Sequence, residues 1–101
     1  MLTKENIIRK LEQHQQKIRS FGVTKLTLFG SYARDEATKG SDIDFLVEFA
    51  PGRGLFKDSV HLLQFLRDDM FKCKVDLIKP TLIREELRES ILGGTKVEAK
   101  I

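Results

Sequence analysis

Ile7, Ile8, Leu11, Ile18 and Phe21 fall at helical spacing among polar neighbours, which predicts an amphipathic first helix. Thr3 is placed to cap its start, Leu2 to pack on Ile7 as a hydrophobic staple, and Gly22 to stop it. The pattern then changes. Val23 to Phe29 reads as a buried strand closed by Gly30, and Ser31 to Ala37 as a short helix. The polar stretch Thr38-Lys39-Gly40-Ser41 leads into a second strand from Asp42 to Glu48, and Pro51-Gly52-Arg53-Gly54 is a loop. Leu55 to Phe71 returns to helical spacing, with Leu55, Phe56, Val60, Leu63, Leu66 and Met70 along one side. Lys74 to Lys79 is a third strand ended by Pro80, and Thr81 to Leu92 a charged helix with Leu82, Ile83, Leu87 and Ile91 inward. Gly93-Gly94 breaks that helix. The alternating Val97, Ala99 and Ile101 suggest a fourth, edge strand.

Composition narrows the class without naming a function. The chain has 101 residues, which allows one modest core, read as a domain over residues 1–92 with 93–101 as a C-terminal tail. Hydrophobic residues make up 41% and charged residues 33%, the balance of a soluble globular protein and not of a disordered or membrane-spanning one. The first residues lack the apolar run of a secretory signal, and Cys73 has no partner for a disulfide, so the expected location is the reducing cytoplasm. The net charge of +3 tolerates a polyanionic ligand but does not indicate direct nucleic-acid binding.

The chemistry concentrates in three places. Gly30-Ser31 can offer backbone N–H groups and a hydroxyl to phosphate at a tight turn. Asp42 and Asp44, two apart on a strand, point to one face and can share hard cations. Asp76 lies near the start of the third strand. For Gly30-Ser31 and the Asp pair to reach one ligand, the first two strands must run antiparallel. Asp76 joins them only if the third strand is parallel to the second, and the Leu55–Phe71 helix is long enough for that crossover. The expected fold is therefore α+β, a small mixed sheet flanked by helices in αβαβαβα order. Such a site fits phosphoryl or nucleotidyl transfer, which needs positioning and charge neutralisation more than covalent help. Carboxylates select Mg²⁺ or Mn²⁺ over softer metals, and two such ions clamp attacking and leaving oxygens in many transferases.

Gly30-Ser31-Tyr32-Ala33-Arg34, Gly40-Ser41-Asp42-Ile43-Asp44-Phe45-Leu46-Val47 and Val75-Asp76-Leu77-Ile78 together resemble the signature of the DNA polymerase β-type nucleotidyltransferase superfamily, and within it the minimal nucleotidyltransferase (MNT) branch. The resemblance covers roughly Leu2 to Leu92. It implies a nucleotidyltransferase fold and transfer of AMP from ATP to a hydroxyl, a tyrosine in the best understood members, of a HEPN-domain toxin that the enzyme silences as its antitoxin. It further implies that Asp42, Asp44 and Asp76 are catalytic and bind two Mg²⁺ ions, with Mn²⁺ as a substitute. Gly30, Ser31, Arg34 and Ser41 become the nucleotide-phosphate site. The family pattern often has glycine after the arginine, where this chain has Asp35, expected to face solvent or pair with Lys39. An alternative reading is a non-catalytic module that neutralises its partner by complex formation alone.

Other conspicuous residues read as structural. Tyr32 is a packing residue, His14 and His61 are surface or boundary residues, and Arg67-Asp68-Asp69 is a solvated helix face. Cys73 lacks a histidine to activate it. The phenylalanines follow the helix and strand periods and so belong to the core, although Phe56 and the Val97–Ile101 edge are also candidates for contact with a protein partner.

Overall fold

The computed structural model describes residues 2–101. Helix α1 (Lys4–Gln13) starts where Thr3 Oγ1 accepts the Asn6 N–H at 3.2 Å. His14 then leaves helical geometry, and a second helix, α2 (Gln15–Ser20), completes what the sequence pattern reads as one helix. The His14 ring meets Phe65 edge to face, with ring centroids 6.0 Å apart. Ile7, Leu11 and Ile18 are fully buried across both helices, so the apolar stripe survives the interruption.

Strands β1 (Val23–Phe29) and β2 (Ile43–Phe49) pair antiparallel, and β3 (Val75–Ile78) pairs parallel to β2. β4 (Val97–Ala99) adds antiparallel to β1, giving the sheet order β3-β2-β1-β4. The mixed sheet and both strand directions are those required by the sequence argument. Leu26, Leu28, Ile43, Phe45, Val47 and Val75 turn toward the helices and form the core with Ile7, Leu11, Ile18, Leu62 and Leu66. Strand alternation puts Lys25, Asp44, Glu48, Asp76 and Glu98 on the opposite face. Ion pairs from Lys25 to Glu48 (3.9 Å) and to Glu98 (3.5 Å) cross that face.

Three further segments and one phenylalanine differ from the sequence expectation. Ser31 to Ala37 is not a helix but a tight turn, because the Glu36 N–H reaches back to the Ser31 carbonyl at 2.9 Å and Asp35 takes a left-handed φ of 58°. The second amphipathic segment is helical as α3 (Phe56–Gln64) but widens into a π-helical stretch over Phe65–Phe71. The last helix starts late: a 3₁₀ turn (Pro80–Leu82) precedes α4 (Glu85–Leu92). Of its proposed inward residues Ile83 is buried, whereas Leu82 (73%), in the 3₁₀ turn, and Leu87 (49%), in α4, stay exposed. Phe56 is 83% exposed, an exception to the rule that the phenylalanines form the core.

The loop between β2 and α3 is clasped by one ion pair. Arg53 donates from Nε to Asp58 Oδ2 at 2.8 Å and from Nη2 to Oδ1 at 3.0 Å, while the Gly54 N–H reaches Oδ2 at 2.9 Å. These bonds hold the Asp58 carboxyl down at about 2. A carboxyl depressed on folding adds stability above its unfolded value of about 3.9 and loses it as pH falls through the folded value. Asp58→Asn is therefore expected to melt below the parent protein at pH 7. The gap should close in thermal melts taken between about pH 4 and pH 2.

Candidate active site

Gly30 ends β1 in a conformation that side chains avoid, with φ of +77°. It faces the Asp44 carboxylate so closely that an added Cβ would overlap Oδ2 and come within 3.2 Å of Cγ. The register explains the approach: Phe29, one residue earlier, is paired with Asp44. After Gly30 the chain coils, and the N–H groups of Arg34, Asp35 and Glu36 bond back to the carbonyls of Gly30, Tyr32 and Ser31. The N–H groups of Ser31, Tyr32 and Ala33 donate to none of the described residues. Consecutive unpaired amides in a turn are an anion-binding arrangement, here built without a helix N-terminus.

Asp44 is register partner of Asp76 on the parallel β3, so the two carboxylates stand side by side on the open face. Burial pushes the Asp44 carboxyl up to about 6, helped by the charges of Asp76 and Asp42 and by hydrogen bonding with Asp76. Arg34 pulls the other way, as the weakest influence. Asp42 precedes β2 and is paired with Lys74, whose Nζ is 3.6 Å from its Oδ2. No three His, Cys, Asp or Glu side chains among the described residues are gathered closely enough to hold a metal ion as they stand. The donor set nevertheless fits a hard divalent cation, because the carboxylates that raise the Asp44 value concentrate negative charge that a cation relieves.

The structure thus brings together Gly30, Ser31, Asp44 and Asp76, with Asp42 and Arg34 alongside. Ser41 is different: its hydroxyl accepts the Thr38 N–H at 2.8 Å and is used within its own turn. Arg34 is partly exposed, with Nε 3.4 Å from Glu36 Oε2, so it braces the turn. Asp35 pairs with Lys4 at 3.0 Å and not with Lys39, and this bond also raises the Lys4 value. Its left-handed backbone accounts for the glycine often found at this position, since Asp is among the few residues that tolerate it. Lys74 and Lys4 are contributors that sequence reasoning missed. Nothing local marks them, because each partner lies more than thirty residues away. The Cys73 thiol is pushed up by burial and by Asp42, which leaves it a poor nucleophile.

The sequence pattern that defines the nucleotidyltransferase domain matches residues 5–98. The chain belongs to the nucleotidyltransferase domain family. It is similar to the protein adenylyltransferase MntA of Thermococcus cleftensis, with 34% identity over 91% of this chain and 92% of that protein. A Methanocaldococcus jannaschii protein provisionally named a protein adenylyltransferase is 42% identical over 71% of this chain and 75% of its own. A solved structure provisionally called a minimal nucleotidyltransferase superposes with a TM-score of 0.76 at 28% identity, covering 99% of this chain and 97% of that one. This nucleotidyltransferase therefore shares its whole architecture, not a fragment, with the minimal branch. None of its described helices is long and apolar enough to cross a membrane.

Proposed function

We propose that this nucleotidyltransferase transfers AMP from ATP to a protein hydroxyl, most simply a tyrosine of a HEPN-domain toxin for which it serves as antitoxin in the cytoplasm. The observation that carries the reading is the side-by-side placement of Asp44 and Asp76, with Gly30 pressed against Asp44. In the reaction the acceptor oxygen attacks the α-phosphorus of ATP. A new O–P bond forms as the bond from that phosphorus to the bridging oxygen breaks, and pyrophosphate leaves with the electron pair. The acceptor proton passes to the Asp76 carboxylate.

Each residue has a stated part. The turn from Gly30 to Ala33 holds the departing β- and γ-phosphates through the amides of Ser31, Tyr32 and Ala33 and the Ser31 hydroxyl. Arg34 and Ser41 complete the phosphate site, Arg34 from the same turn, which it also braces through Glu36, and Ser41 from the approach to β2, where its hydroxyl also accepts the Thr38 N–H. Asp42, Asp44 and Asp76 would hold two Mg²⁺ ions. When bound, such ions neutralise phosphate charge and stabilise the attacking and leaving oxygens. Lys74 balances the Asp42 charge in the free protein.

The test is to incubate the protein with ATP, Mg²⁺ and its co-encoded partner, beside an Asp42→Asn/Asp44→Asn double variant. The partner should gain about 329 Da per AMP transferred, and the double variant should add none. Unmodified partner in a tight, inhibited complex would instead support neutralisation by binding alone.

A further inference from the structure

The sheet order decides from which side an acceptor can arrive. Gly30 and Ser31 follow β1, an interior strand, and Asp76 lies on β3, an edge strand on the far side of β2. If pyrophosphate departs over β1, an in-line attack comes from the β3 side. There, no other described segment hydrogen-bonds to the outer edge of β3. Beside that edge, on the helix side of the sheet, opens a cleft of about 370 Å³ lined by Val60, Leu63, Leu77, Leu82 and Asp76. Leu82 at its rim is 73% exposed. The opening is largely apolar, yet it touches the strand that carries a proposed catalytic aspartate.

Resting on the adenylyl-transfer reading, we propose that the β3 edge and this cleft dock an extended segment of the acceptor protein. Side chains alternate along an added strand. A hydroxyl residue turned toward Asp44 and Asp76 therefore has its immediate neighbour turned toward the cleft. That neighbour is an apolar side chain, seated against Leu77 and Leu82. The site thus selects an apolar residue directly beside the residue it modifies. A second copy of this chain is the wrong occupant, because pairing two β3 edges would close the side from which the acceptor enters.

The test uses acetylated hexapeptides with one tyrosine, varied on either side of it among Leu, Ser, Asp and Lys. Each is incubated with the full-length protein and MgATP and followed by mass. Burial of one aliphatic side chain corresponds to about tenfold or more, so Leu-flanked peptides should be labelled at least about tenfold faster than Asp-flanked ones. Leu82→Asp, an exposed change that the fold tolerates, should raise the peptide KM by a similar factor without moving the KM for ATP. Amide shifts of ¹⁵N-labelled protein on adding the Leu peptide should centre on Asp76 to Ile78.

Labelling that ignores the flanking residue overturns the docking site while leaving adenylyl transfer intact. So do shifts centred on β4, or a dimer that forms through β3. Peptide shifts at β3 without AMP transfer would uphold the docking site and count against the chemistry.

Discussion

Asp44→Asn should remove nucleotide transfer and at the same time raise the melting temperature at neutral pH. The two effects share one origin. In the free protein Asp44 sits partly buried beside Asp76 and Asp42, and this holds its carboxyl at about 6. A group raised on folding binds its proton more tightly in the folded state. Its contribution to stability is complete below the unfolded value of about 3.9 and is lost as pH rises through the folded value. At pH 7.5 the ionised Asp44 therefore strains the site, and an amide of the same shape relieves it. Since the group is only partly buried and solvent screens it, we expect a gain of about 1 kcal/mol, or about 4–8 °C for a domain of this size. The gain should shrink toward zero in melts at pH 4. On the proposed function transfer should fall by about 10³-fold or more, because Asp44 would be a ligand for the ions that neutralise the phosphates. Mg²⁺ should narrow the difference in melting temperature by stabilising the parent and not the variant. A variant both inactive and less stable at pH 7.5 would show that Asp44 has a structural role instead.

Gly30→Ala is expected to cause the second large effect, by geometry and not by charge. The new methyl meets two obstacles: a left-handed backbone with φ of +77°, and the Asp44 carboxylate in the space it would take. The backbone alone costs roughly 1–2 kcal/mol for alanine. Relief of the overlap requires the Asp44 carboxylate to leave its present position, and a displacement of that kind costs about 10²-fold in rate. The expected result is a destabilised protein with activity down by about two orders of magnitude. Gly40→Ala is the control, since its added Cβ meets nothing within 4 Å. The double variant Gly30→Ala/Asp44→Ala should recover part of the lost melting temperature but none of the activity. If Gly30→Ala and Gly40→Ala behave alike, the close packing of Gly30 on Asp44 is not what shapes the site.

The pattern of the chain carried most of the scaffold. Strand β1 and its end at Gly30, the Asp-x-Asp pair at the start of β2, and the helical crossover to β3 were all readable, because alternation and helical period record which side of a single element avoids water. The strand directions followed from one chemical demand, that Gly30-Ser31, Asp44 and Asp76 meet. Local patterns failed where a neighbour along the chain had less influence than one across space. The residues after Ser31 have a helical look, yet the backbone of Asp35 turns left-handed and its side chain ties to Lys4. Thr81 to Leu92 has an apolar stripe, yet Leu82 and Leu87 stay in water, Leu82 on a 3₁₀ turn that precedes the helix.

By itself, then, the sequence determined the kinds of element, the fold family and the candidate residues for phosphate and cations. Those properties depend on side-chain type and short-range periodicity. Only the tertiary structure decided the values and contacts that make the candidate site particular. The raised Asp44 carboxyl, the Lys74 partner of Asp42, and the contact of Gly30 with Asp44 all depend on strand register. Electrostatic coupling falls off over a few ångströms, and those distances are set by how strands are brought together, not by how far apart residues lie along the chain.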